Sequence, residues 1–553
     1  MSNLLSQASL VMIPSGYKED VVYSAIPTNG NGDLSFTRAS NGTRINSAGL
    51  GEVCPWNLAT YSEQFTNAIY TPKNGTFTDN FAVAPNGTTT AAKFEATDSD
   101  PYIYQSFNGT NQVYTATCYV KATGTAIGKN CSIRISSSAV FTVMTGEWQQ
   151  LTITANINGN VNVGVEAPES ATSGEIVYIW GFQINVGSTA KPYFPTTDRL
   201  NVPRLTYQNG GGGCPSLLLE KQSTNLVTYS EQFDDAIWTK YQGGTITANS
   251  VTSPDGTQNA DTLTVASGQV YSGIYQSVSG SSDVYTISVF AKYNTKRWLF
   301  IFDASASAQG WFDIQNGVLG TIPSGHTGTI ENFGNGWYRC TFKKNTAVTP
   351  AFFQIGLVDS DGFSTPTSNG SAYLWGAQLE ASSYATSLIN TTSSSATRVA
   401  DACFKTGISS LIGQTQGTLF VDSVLTHSTT NNEYLIQVSE SGSNRFFIYR
   451  EGNSNKLGCF VLIGSTQIYT QLTSGAITGR VKAAFAYQSG SFAFYVNGTQ
   501  VGTSAATFST PPTMGRLDID SNAGAENGYY NYNEAIIFPT RITNAELASL
   551  TTI

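Results

Sequence analysis

Few residues in this chain have types and spacings suited to chemistry, and those few point to contact with a ligand. Within residues 522–532 the loop amides Asn522 and Asn527 precede three tyrosines, Tyr529, Tyr530 and Tyr532. An amide hydrogen-bonds sugar hydroxyls, while a tyrosine ring covers the apolar side of a sugar, so these five are the candidate ligand-binding residues. Covering a sheet edge and packing in an oligomer interface are the competing readings of the same loop. Asp518, Asp520 and Asn522 also offer oxygens at alternate positions, as a calcium loop does. The glycine then falls at Gly524, one place late, and the twelfth position is Tyr529 instead of Glu, so the EF-hand arrangement fails. Calcium stays open through other arrangements, and no metal ligand or other cofactor is assigned.

Catalysis has less to stand on. The two histidines, His326 and His427, lie near no nucleophile motif, and GxSxG, HExxH and P-loop patterns are absent. A glycan hydrolase needs two facing carboxylates, but Asp234/Asp235 and Asp359/Asp361 read as turn residues of an all-β protein. No catalytic residue is assigned, and the expectation is a protein that is not an enzyme.

The elements that position these residues follow from a duplication. Residues 57–68 read NLATYSEQFTNA and residues 225–236 read NLVTYSEQFDDA. The match continues through IYQSFNGTNQVYTATCYVKA (103–122) against IYQSVSGSSDVYTISVFAKY (274–293), and VYIWGFQINV (177–186) against AYLWGAQLEA (372–381). The second copy has the longer middle. Period-two alternation, as in residues 284–290 (VYTISVF), with Gly, Asn and Asp turns at short intervals predicts antiparallel strands of two jelly rolls. Trp148, Trp180, Trp337 and Trp375 sit in or at these strands and read as core. A third sandwich is expected from about residue 417, with a type I′ hairpin at Asn497-Gly498 and a short terminal helix capped by Thr543 or Asn544.

The fold class is therefore all-β: three antiparallel β-sandwiches after an N-terminal segment. The expected boundaries are 1–55 for that segment, as an attachment arm; 56–200 and 223–400 for the jelly rolls; 201–222 for a joint; and 410–553 for the third sandwich. The joints echo one another in FTRASNGTR (36–44), TDRLNVPRLTY (197–207) and ATRVADACF (396–404). The run of four glycines at 210–213 reads as a loop or hinge.

Composition narrows the partners. With 12% charged residues, a formal net charge of −9 and no basic cluster, the chain lacks the field that nucleic acid or an anionic membrane surface requires. No apolar stretch approaches the roughly 20 residues of a membrane span, and residues 1–20 lack a signal-peptide pattern. Seven scattered cysteines without a CxxC pair read as buried thiols.

TNLVTYSEQFDDAIWTK, GWYRCTF, YLWGAQLE followed by ATSLINTTSSSATRVAD, and the closing RVKAAFAY, YVNG and ITNAELASLT together resemble a family of phage and prophage tail-fibre-like or minor structural proteins. Such proteins join carbohydrate-binding-module-like jelly rolls to a C-terminal concanavalin A-like (laminin G-like) domain. The resemblance implies a virion component made in the bacterial cytoplasm. Its implied partners are other virion proteins, further copies of itself (a trimer) and host-surface glycans. Two readings follow: a fibre or appendage subunit that recognises glycans, and a purely architectural protein; a glycan hydrolase with appended modules is the third. The first copy departs from the pattern at Phe182, Ile184 and Asn185, where the second has Ala377, Leu379 and Glu380, so ligand binding is expected more of the second copy.

Overall fold

The computed structural model describes residues 2–428, 430–509, 511, 513–520 and 528–553. These are strands with little helix, and they divide into two compact units: residues 53–200 with 255–259, and residues 1–52, 201–254 and 260–553. No helix among them is long and apolar enough to cross a membrane.

The smaller unit is the first jelly roll. Tyr102–Ala122 and Gln149–Glu166 pair from Tyr102 to Val120, past one bulge after Thr110, and run through both layers, so one continuous sheet wraps around the core. Ala116, Cys118, Val120, Ile133, Val163 and Ile179 fill it, each from an alternate position of its strand. The second jelly roll splits the same design into two six-stranded sheets, packed on Ile274, Ile287, Leu299, Ile301, Phe353 and Ile355.

The repeated NLxTYSEQF motif is structural in both copies. Asn57 is wholly buried; its amide donates to the Phe182 and Phe194 carbonyls, and its oxygen accepts from the Ala59 and Ile184 N–H groups. Asn225 makes the matching four bonds with Ala377, Ile389, Val227 and Leu379. A side chain that satisfies four buried backbone groups at once accounts for the same asparagine in both copies. Trp180, Trp337 and Trp375 are buried, as expected of core residues.

The larger unit also contains the third sandwich, and its composition corrects the expected boundaries. One sheet runs, in order, through Arg204–Thr206, Ser216–Glu220, Tyr529–Phe538, Gln416–Leu425, Gly479–Gln488, Phe492–Val496 and Thr499–Ser504. Leu10–Met12 joins it beside Tyr529–Phe538, pairing Leu10 with Ile537 and Met12 with Ala535. The other sheet has nine strands and includes Val21–Val22, Leu34–Thr37 and Ala402–Thr406. Residues 1–55 and 201–222 are therefore not a separate arm and a linker; both supply strands to the C-terminal sandwich. The two jelly-roll sequences are insertions between its strands. Residues 210–213 form the tip of a hairpin, with all four glycines at φ of 74–87°, where a side chain would strain the backbone.

The echoing joints are explained by where they meet. Arg38, Arg204 and Arg398, one from each joint, converge with Glu220 and Asp401, and all five are fully buried. Arg204 bridges Glu220 at 2.6 Å and Asp401 at 2.5 Å, Arg38 meets Asp401 at 2.9 Å, and Arg398 meets Glu220 at 3.2 Å. Ser387 adds two hydrogen bonds to Glu220, and the Glu220 N–H donates to Asp401. Buried charges are tolerated when so densely partnered, and losing one partner is costly.

Burial pushes the Glu220 carboxyl up, but Arg398, Arg204 and Ser387 outweigh it and hold the group at about 2. A carboxyl depressed on folding stabilises above its ordinary value of 4.5 and loses that contribution as pH falls towards 2. The urea midpoint of the larger unit should accordingly fall across this window. Glu220→Gln should lower the midpoint at pH 7 and flatten its acid dependence; an unchanged profile would remove Glu220 from the account.

The local signals at the C-terminus hold. Asn497 and Gly498 have φ of 48° and 77°, as a type I′ turn requires. Thr543 caps helix Asn544–Thr551 in a reciprocal capping box with Glu546, and Leu547 and Leu550 pack on the outer face of the first sheet. All seven cysteines are free thiols; six are buried as expected and Cys214 is exposed.

Candidate functional site

Of the five residues chosen from sequence, the three tyrosines are described, and two of them face the interior. Asn522 and Asn527 lie outside the described residues. Tyr530 and Tyr532 are wholly buried, which corrects the expectation of exposed rings: in Tyr529–Phe538 they alternate inward, into the core with Leu217 and Leu219. The Tyr530 hydroxyl donates to Glu433 at 2.5 Å. Tyr529, on the opposite face, stacks on Tyr384 at 5.5 Å and on His427 at 5.8 Å. Asp518 is held by Arg516 at 2.6 Å, and Asp520 accepts the Gly528 N–H. Among the described residues no three His, Cys, Asp or Glu side chains are grouped to hold a metal.

Side chains suited to a ligand gather elsewhere, on the outward faces of the front sheets of the two jelly rolls. The front sheet is the one holding Gly273–Ser277, Trp298–Asp303 and Phe352–Val358 in the second jelly roll, and the matching layer around residues 102–107 and Asn130–Ile135 in the first. In the second, Ile274, Leu299, Ile301, Phe353 and Ile355 point into the core. The alternate positions of the same strands should be polar, yet they carry Tyr275, Phe300, Phe302 and Phe352, with Tyr241 on the neighbouring strand. The rings form a continuous row. Tyr241 meets Tyr275 at 5.9 Å, Tyr275 meets Phe352 at 5.1 Å, Phe352 meets Phe302 at 6.2 Å, and Phe302 meets Tyr271 at 5.4 Å. Tyr241 is 39% exposed, and Tyr275, Phe302 and Phe352 are partly exposed. Phe300 lies flat beneath, over Gly356, where a Cβ would stand 2.3 Å from its ring. Only glycine permits that seat.

The first jelly roll has the same register, so the faces compare position by position. Its cross-strand row is Lys73, Tyr102, Glu166, Ser132, where the second has Tyr241, Gly273, Gly356, Phe300. The next row is Tyr104, Gly164, Arg134, against Tyr275, Gln354, Phe302. A hydrogen-bonding cleft of about 520 Å³ replaces the aromatic row. Arg134 and Glu166 pair across it at 2.6 Å, Asn160, Asn162 and Ser106 line it, and Tyr102 stacks beside Tyr104 at 5.4 Å. Burial pushes the Tyr102 phenol up to about 12, so it stays a neutral hydroxyl at ordinary pH. The departures at Phe182, Ile184 and Asn185 do not touch this face, because all three are buried.

A sequence signal for these faces existed. Residues 298–303 (WLFIFD) and 352–358 (FFQIGLV) are apolar at both alternations, which a sheet with one wet face does not require.

No protein-family model matches the chain, and no curated protein matches it. Parts of it are similar to solved β-sandwich structures. The CBM40 domain of the Ruminococcus gnavus IT-sialidase, bound to α2,3-sialyllactose, is 17% identical over 25% of this chain and 84% of its own, with a TM-score of 0.22. The tandem CBM22-1–CBM22-2 domains of Paenibacillus barcinonensis Xyn10C are 12% identical over 59% of this chain and 98% of theirs, with a TM-score of 0.19. The LG1-3 region of the laminin α2 chain is 9% identical over 80% of this chain and 96% of its own, with a TM-score of 0.15.

Proposed function

We infer that this is a non-enzymatic glycan-binding protein whose ligand sites are the outward front-sheet faces of its two jelly rolls. The row from Tyr241 to Tyr271 supports this reading most directly. Aromatic rings in a line on an open sheet suit the C–H faces of successive sugar units, and they are costly to leave bare in water. The cleft of the first copy complements it with hydroxyl-directed donors and acceptors from Arg134, Glu166, Asn160 and Asn162. Glu166 is tied to Arg134, which suits hydrogen bonding better than general acid chemistry.

The setting we propose is a bacteriophage particle, as a fibre or appendage subunit that contacts host-surface glycans. The motif resemblance described above supports that setting. Weak sites suffice there, because a repeated array raises avidity.

Glycan-array screening followed by calorimetry on the full chain tests the reading. Tyr275→Ala with Phe352→Ala should weaken binding at least tenfold, about 1.4 kcal/mol, while the protein stays folded by far-UV circular dichroism. Absence of binding to every glycan at millimolar concentration would leave the architectural reading in its place.

A further inference from the structure

The first jelly roll ends on an edge strand, Ser138–Val143, whose one strand partner among the described residues is Asn130–Ile135. Edge strands are ordinarily blunted by charge, proline or a covering segment. This one carries no charge or proline of its own and, among the described residues, no covering strand; the Arg134 guanidinium from the neighbouring strand lies over the Phe141 ring at 5.6 Å. Its sequence SAVFTV is uncharged, and Val140, Phe141 and Val143 are 43%, 56% and 56% exposed.

The second copy shows what such an edge accepts. Its equivalent strand, Ala308–Asp313, is covered by Val318–Leu319 from the longer middle, pairing Phe312 with Leu319 and Asp313 with Val318. The Trp311 N–H donates to Thr321, and the Trp311 carbonyl accepts from Gly320. Trp311 faces Phe300 as Phe141 faces Ser132, so the Phe141 N–H and carbonyl point outward in the same way. The covering segment is missing from the first copy, where only five residues separate Val143 from Gln149.

We propose that this edge pairs with the same strand of a second copy, antiparallel about a two-fold axis at Phe141. The strand is its own suitable partner. With Phe141 opposite Phe141 and Ala139 opposite Val143, apolar groups meet across the pair and no like charges are opposed. An isologous contact also uses both edges and so closes as a dimer. The pairing would extend one front sheet into the next and present two Tyr102–Arg134 clefts on a continuous surface. The pairing itself does not depend on their binding sugar.

Sedimentation velocity of the full chain over a hundredfold concentration range tests this. A reversible monomer–dimer equilibrium is expected. Phe141→Lys, which sets two like charges opposite each other, and Phe141→Pro, which removes the outward N–H, should each weaken it at least tenfold. Phe141 is exposed, so the melting temperature should stay near wild type, and Val318→Lys in the second copy should change nothing. A monomer at every concentration, an oligomer of another order, or a dimer that survives Phe141→Lys would overturn the proposal.

Discussion

Arg204→Ala is expected to destabilise the larger unit by about 3–5 kcal/mol, the range for removing one partner from a buried ion pair. The wholly buried guanidinium touches Glu220, Asp401, the Ser387 hydroxyl and the Thr43 carbonyl, and both carboxylates are buried with it. Without it, two carboxylates share Arg38 and Arg398 alone in a medium that screens little. Such a loss is a large part of a total stability of about 5–15 kcal/mol. Urea unfolding of the full chain, followed by far-UV circular dichroism, measures it. The double variant Arg204→Met with Glu220→Gln should lose less than the sum of the single variants, since each removes the other's reason for being charged. The partly exposed pair Lys93–Glu95 is the control: breaking it should cost under about 1 kcal/mol. A loss of similar size at Arg204 would mean that water reaches the cluster.

Deletion of residues 1–50 is expected to unfold the C-terminal sandwich and spare the first jelly roll. The deleted stretch carries Leu10, Val11, Met12, Val22, Leu34 and Phe36, each no more than 1% exposed. At roughly 1.5–3 kcal/mol for each buried side chain, their loss approaches or exceeds the whole margin of stability. It also removes Arg38 from Asp401 and bares the Tyr529–Phe538 strand where Leu10–Met12 pairs. Limited proteolysis of the truncated protein should therefore digest residues 401–553 and leave a resistant fragment near residues 53–200. A truncated protein that unfolds at the wild-type midpoint would show these contacts to be dispensable. By the same physics, residues 410–553 expressed alone should not fold.

Much of the local structure was legible in the residues themselves. Period two and the duplication define two related sandwiches, because alternation reports which side chains share a face. Asn497-Gly498 and the Thr543–Glu546 box specify their turn and cap through φ preference and local hydrogen bonding, which need no distant partner. The partners of short strands are another matter. LVM (10–12) and SLLLE (216–220) are apolar runs that any sheet edge could receive, and only the long-range pairing with Tyr529–Phe538 settles where they go. Alternation likewise cannot say which face meets the core. It groups Tyr530 with Tyr532, but the polar loop before them suggested the surface, and packing against Leu217 and Leu219 decided for the interior. The reverse holds for Tyr275 and Phe352, whose aromatic character suggests burial while their register turns them outward. Nothing in the joint motifs marks Arg38, Arg204 and Arg398 for burial, since a side chain's environment depends on segments hundreds of residues away. Sequence determined the pattern of each strand; the tertiary structure alone decided which edges meet and which faces stay open, because those contacts are made between residues far apart in the chain.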